Sequence, residues 1–163
     1  LWTSEFHEML LVGSMTPIAL DVAKISERFQ QDSVRSTLQD VGIDSVAALL
    51  ATWVTDRTGL ERFAADAPAV TDDQPRIEYA PWVRAREISR VLPALLNLRL
   101  APTLLNADSG FIERMNVHQQ RLMQFYRASL HAYDGDRDAW ARDIRDVMRG
   151  DGGNPYYRWF FGE

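Results

Sequence analysis

The spacing of apolar residues changes period once, near the front of the chain. In residues 1–14, the short runs Leu1-Trp2-Thr3 and Glu8-Met9-Leu10-Leu11-Val12 are bounded by Ser4-Glu5 and Gly13-Ser14, which predicts a pair of strands. Two strands alone make no stable sheet, so this hairpin is expected to pair with strands outside the chain or with a second copy. After Met15-Thr16-Pro17, Val22, Ile25 and Phe29 recur at helical spacing behind Asp21, the expected N-cap. A second helix is expected to be capped by Asp32 or Ser33, to bury Val34, Leu38 and Val41, and to stop at Gly42. A third opens at Asp44-Ser45 with Val46, Leu49, Leu50 and Trp53 inward, breaks near Thr58-Gly59, and continues with Leu60 and Phe63.

Between residues 66 and 81 the helical pattern stops, because Asp66, Pro68, Asp72, Asp73, Pro75 and Pro81 forbid a regular helix. Helical spacing resumes with Val83, Ile88, Val91 and Leu92, is broken or kinked by Pro93, and runs on through Leu95, Leu96 and Leu98 toward Pro102. The longest predicted helix covers 109–134, with Ile112, Met115, Leu122, Phe125, Tyr126, Leu130 and Tyr133 as one stripe and Gly135 as its stop. Asp136 or Asp138 then starts a helix that buries Trp140, Ile144, Val147 and Met148 and ends at Gly150. Its outer face alternates in sign through Asp138, Arg142 and Asp146, pairs worth about 0.2–0.5 kcal/mol each on a solvated helix. Last, Asn154-Pro155 has the grammar of a helix start.

The fold class this predicts is mainly α: helical hairpins behind a short N-terminal β-hairpin remnant. Three regions are expected: the hairpin at 1–14, short helices and a proline-rich loop at 15–81, and a helical hairpin array at 82–163. The chain opens at Leu1 rather than Met, from which a preceding portion of the polypeptide is expected.

Composition narrows the chemistry. Of 18 basic residues only Lys24 is a lysine, and 23 acidic residues bring the formal charge to −5, so there is no electrostatic footprint for nucleic acid. With no cysteine, disulfides, thiolate metal sites and a cysteine nucleophile are excluded. The most apolar run, 91–105, is interrupted by Pro93, Asn97, Arg99 and Pro102, and does not reach the ~18–20 residues of a membrane span.

The segment Thr71-Asp72-Asp73-Gln74-Pro75-Arg76-Ile77-Glu78-Tyr79 resembles the TDD-x-P-R-x-E-[YF] segment toward the C-terminal end of bacterial spermidine synthase-like proteins, long and often membrane-fused relatives of the polyamine aminopropyltransferases. The stretch from Leu60-Glu61-Arg62-Phe63-Ala64 to Ala67-Pro68 resembles the helix end and turn before that motif. Trp2 and His7 through Ser14 resemble the last strand pair of the family's catalytic sheet. Residues 131–162 resemble a degenerate tetratricopeptide unit, with Trp140 and Ile144 on the second helix. The resemblance implies a non-catalytic C-terminal region, cytoplasmic and attached in many relatives to a membrane-fused parent, whose partners are the missing catalytic domain or a second copy of the chain in a homo-oligomer. The parent activity it implies is transfer of an aminopropyl group from decarboxylated S-adenosylmethionine to an amine. The family's glycine-rich turn, ribose-binding acid and catalytic aspartate match no position here, and the adjacent glycines, Gly152-Gly153, follow no strand. The sequence therefore offers no catalytic, cofactor-binding or metal-ligating residue, and implies no cofactor.

Three groups of residues invite a closer look. Asp72, Asp73, Arg76 and Glu78 could converge on an amine or a divalent cation, yet Asx-turn capping before Pro75 and local ion pairing account for them more simply. His7, His118 and His131 are scattered, and His118 lacks a partner at metal-binding spacing. Tyr156, Tyr157, Trp159, Phe160 and Phe161 crowd one short helix. Tyr156, Trp159 and Phe160 would form its inward stripe, leaving Tyr157 and Phe161 for a partner chain or a further repeat. The rival to the spermidine synthase-like reading is a self-contained helical scaffold for protein contacts; a small hydrolase or metalloenzyme built on Asp72, Asp73 and Glu78 ranks last.

Overall fold

A computed structural model describes residues 1–3, 9–68 and 88–162, the side chains of Trp2 and Thr3 excepted. The chain is mainly α with a β-hairpin at its front, as predicted. β1 (Trp2–Thr3) pairs antiparallel with β2 (Met9–Leu10) in the register Trp2 to Leu10 and Thr3 to Met9. A second pair escapes the sequence pattern: β3 (Leu20–Asp21) runs parallel to β4 (Leu104–Leu105). Two residues are too few to show alternation, and the partner lies more than eighty positions away.

The helices begin where side-chain oxygens can satisfy free backbone donors. Asp21 accepts from Ala23 N at 3.1 Å and Lys24 N at 3.3 Å to start α1 (Val22–Phe29). Ser45 starts α3 (Val46–Ala51), Asp56 α4 (Arg57–Phe63), Asp108 α6 (Ser109–Asp134) and Asp136 α7 (Arg137–Asp151). Asn154 starts α8 (Pro155–Phe161). Gly135 ends α6 at φ 77°, the left-handed cap that the sequence announced.

α6, 26 residues and about 39 Å long at 1.5 Å per residue, is the spine on which the rest packs. On its first half Phe111 and Met115 meet Val22 of α1 and Ala47, Leu50 and Ala51 of α3. On its second half Phe125, Tyr126 and Ala128 meet Leu92 of α5 (Ile88–Leu96), Val147 of α7 and Tyr157 of α8. A third cluster joins Leu1, Val54 and Leu95. Full burial of each large apolar side chain contributes roughly 1.5–3 kcal/mol before conformational entropy is subtracted.

Several boundaries and faces differ from the sequence pattern. α2 (Asp32–Asp40) is preceded by Gln31 with no side-chain cap, and Asp32 pairs instead with Arg35 inside the helix. α2 buries none of its residues, and Val41 is exposed, so this helix lies at the periphery. The break after α3 falls at 52–56, not at Gly59. Residues 53–55 are extended between two backbone segments: Val54 N donates to Leu1 O at 2.9 Å, and Leu100 N donates to Val54 O at 3.1 Å. Gly59 is helical and buried because α4 presses it against Thr55 and the Leu98 carbonyl, and Phe63 points to solvent. Pro93 does not end α5, since Leu92 and Leu95 are buried on either side of it; the helix ends at Leu96 so that Leu98 and Leu100 can pair with 53–55. On α6, Ile112 and Tyr133 are exposed, while the small residues Ala128 and Ser129 are buried. α7 buries Ala139, Asp143 and Val147, a face rotated from the one expected, with Trp140, Ile144 and Met148 at its half-buried edge, and runs one residue past Gly150.

Candidate functional site

Among the described residues, α8 holds the densest aromatic packing. Phe125, fully buried on α6, stacks on Tyr157 at 4.6 Å and 19° and takes edge contacts from Tyr156 at 5.4 Å, Phe160 at 5.1 Å and Phe161 at 5.8 Å. This corrects the expected division of the helix. Asn154 accepts from Tyr156 N and Tyr157 N, which fixes the phase of α8 and aims Tyr157, only 6% exposed, at the core rather than at a partner. Phe160 and Phe161 are half-buried against the same cluster. Trp159, expected inward, is 69% exposed and stacks on Tyr156 at 6.0 Å. Of the five aromatic residues, Trp159 is therefore the one that offers a broad free surface.

The hairpin leaves a second apolar surface open. Leu10, Leu11, Val12 and Met15 are 55, 66, 48 and 102% exposed, and they follow one another along the chain. Behind them a groove of about 580 Å³ is walled by Leu1, Leu11, Val12, Met15, Trp53 and Leu60. Asp56 and Arg57 stand at its polar edge.

A third feature is a crevice of about 50 Å³ where stretches distant in sequence converge: the turn after α2 with Asp44, the middle of α6 with His118 and Arg121, and the entry to α8 with Asp151, Asn154 and Tyr157. Asn154 Nδ2 donates to the Gly42 carbonyl at 3.1 Å and to Asp151 Oδ2 at 3.2 Å, joining two of the three walls. His118 Nε2 lies 3.5 Å from Ser45 Oγ, the cap of α3. Burial, with the Asp151 carboxylate nearby, raises the Tyr157 hydroxyl far above its ordinary value of 10.0, and Arg121 opposes that rise. This phenol stays a neutral donor across the physiological range.

Two polar clusters that hydrophobic periodicity does not reveal hold the helices in place. Asp143 of α7 accepts from Arg127 Nε at 2.9 Å and Nη2 at 3.0 Å, and from His131 Nδ1 at 2.9 Å, tying α7 to α6. The spacing was readable: Arg127 and His131 lie four apart on one face of α6, and Asp143 lies in phase with Ala139 and Val147. The expected outer pairs through Arg142 do not form; Asp146 pairs with Arg149 at 2.8 Å instead. Arg99, half-buried, donates to the carbonyls of Ala51 at 2.7 Å and Trp53 at 2.6 Å, where α3 ends. Desolvation lowers its affinity for the proton, but Arg99 remains a cation, well placed at a helix C-terminus.

Asp72, Asp73, Arg76, Glu78 and His7 lie outside the described residues. Among the described residues no group of three or more His, Asp or Glu side chains is placed to hold a metal ion, and no helix is long and apolar enough to cross a membrane. Comparison with protein-family models, with curated proteins and with solved structures returns no match.

Proposed function

We propose that this chain is a protein-contact region of the kind that follows the catalytic domain in spermidine synthase-like proteins, and that it works by packing and recognition. One observation carries the reading: the unbroken exposed run Leu10, Leu11 and Val12, continued by Met15, on the edge of a two-stranded hairpin. A hairpin of two-residue strands is marginal in water, and contiguous exposed apolar surface beside an apolar groove marks a contact site. The TDDQPRIEY segment, by its resemblance, supports a catalytic sheet of the aminopropyltransferase type as the partner. The alternative is a free-standing helical scaffold, favoured by the three core clusters the chain builds from its own residues.

Sedimentation velocity tests this. The chain is run alone at about 100 μM, where an association of micromolar Kd would be nearly complete, and then with a spermidine synthase-like catalytic domain lacking its own C-terminal helices. A complex with that domain, abolished by Leu11→Glu combined with Met15→Glu, is the expected result. Self-association lost in the same variant moves the assignment to the free-standing scaffold. A monomer that binds nothing, with the variant indistinguishable, overturns the contact reading.

A further inference from the structure

Among the described arginines only Arg99 and Arg121 are half-buried; the rest are exposed. Arg99 spends its donors on backbone carbonyls and the Met123 sulfur. Arg121 makes no hydrogen bond or ion pair among the described residues, although it forms a wall of the crevice between the α2 turn, α6 and α8. The stem of Arg121 is half-buried while its guanidinium keeps its donors open toward the crevice, free to meet an acceptor brought in from solvent. Beside it the Tyr157 hydroxyl also bonds to no described group, and the residue is nevertheless 6% exposed, so this donor too opens into the crevice.

We propose that this crevice is a binding site for a small carboxylate, held by the Arg121 guanidinium and by the Tyr157 hydroxyl, with His118 at its rim. Size and charge select the class. A volume of about 50 Å³ exceeds the ~10–15 Å³ needed for a single water molecule and suits a carboxylate head whose substituent leaves through the open mouth. The planar fork of arginine matches the two oxygens of a carboxylate. Asp44 and Asp151 share the lining, so a dianion such as phosphate meets more repulsion than a monoanion does. Asp151 is itself engaged by Asn154 Nδ2 at 3.2 Å, which draws part of its charge away from the site. None of this depends on what the hairpin edge contacts.

The test is a titration of the full chain with sodium acetate at constant ionic strength, chloride being replaced, read on the ring resonances of His118 and Tyr157. Saturable displacement by acetate is expected, with phosphate weaker, Arg121→Gln weakening binding at least tenfold, and Arg137→Gln leaving it unchanged. Displacement equal to that in chloride, tighter binding of phosphate, or an unaltered response in Arg121→Gln overturns the proposal. Should Arg121→Gln lose its helical circular dichroism, the unmodified chain still decides. Acetate must then slow phenylglyoxal modification of Arg121, followed by mass spectrometry, without slowing that of Arg137; equal rates refute the site.

Discussion

Phe125 and Tyr157 lie face to face, ring centroids 4.6 Å apart and planes inclined by 19°. The pair joins the middle of the longest helix to the last one. Four further rings surround Phe125 within 5.8 Å, so much of the packing of α8 passes through a single side chain.

Phe125→Ala is expected to cost about 3–5 kcal/mol, the range for removing a buried phenyl ring and leaving a cavity. Urea denaturation followed by helical circular dichroism measures it, with Phe125→Leu costing distinctly less. A cost below that of an ordinary surface substitution would mean that α8 is not docked there.

Tyr157 sets a limit on alkaline stability. Its folded-state pKa is raised, first by burial and then by Asp151, so from about pH 10 upward the unfolded chain loses a proton that the folded chain keeps. The unfolded state then binds fewer protons, and folding stability declines with rising pH by up to about 1.4 kcal/mol per pH unit for this group, having been fully present below pH 10. Denaturation at a series of pH values from 9 to 12 should show the decline, and Tyr157→Phe should flatten it.

Asp143 and Asp146 lie on the same helix and give opposite expectations. Asp143 is 9% exposed and accepts three charge-assisted bonds from α6, so Asp143→Ala should cost about 1.5–3 kcal/mol. Asp146 pairs with an Arg149 side chain that is 77% exposed, and Asp146→Ala should stay within about 0.5 kcal/mol. Thermal melts of the two variants side by side make the comparison.

Gly59→Ala should destabilise, although alanine is favoured over glycine by about 1 kcal/mol inside a helix. A Cβ at Gly59 would collide with the Thr55 hydroxyl and come within 3.0 Å of the Leu98 carbonyl. It would displace the bond from Thr55 Oγ1 to Leu98 O, 2.9 Å long on a fully buried residue. A net loss of about 1–3 kcal/mol is expected, since a buried hydroxyl left without its partner carries its full desolvation penalty. A stabilised Gly59→Ala protein would refute the close packing of α4.

What was legible in the sequence was local. Asp21, Gly42, Gly135 and Asn154-Pro155 announce their helix ends because a cap is a conversation between neighbours in the chain. The strand pair at the front was readable for the same reason, the two runs lying only five residues apart in the chain. Faces were less legible than ends. Ile112 looks like core, yet it is exposed, while Ser129, bonded to the Phe125 carbonyl at 2.9 Å, is buried. A close-packed helix can select a small side chain over a large one, and periodicity of hydrophobicity does not register that choice. Arg99, Arg121 and Asp143 were passed over because a polar residue becomes a buried partner only once distant backbone or side chains arrive around it. The crevice is the extreme case, since its walls come from residues 41–52, 118–126 and 151–157.

Asn154 Nδ2 donates to the Gly42 carbonyl across 112 positions of sequence while its Oδ1 accepts from the Tyr156 backbone N–H in the first turn of α8. Gly42, at φ 79°, has no room for a side chain beneath that amide. The turn after α2 and the entry to α8 are thereby riveted through one residue. Unseating Asn154 would release the Gly42 carbonyl, so hydrogen exchange in the turn at 41–43 becomes a gauge of whether the entry to α8 is docked.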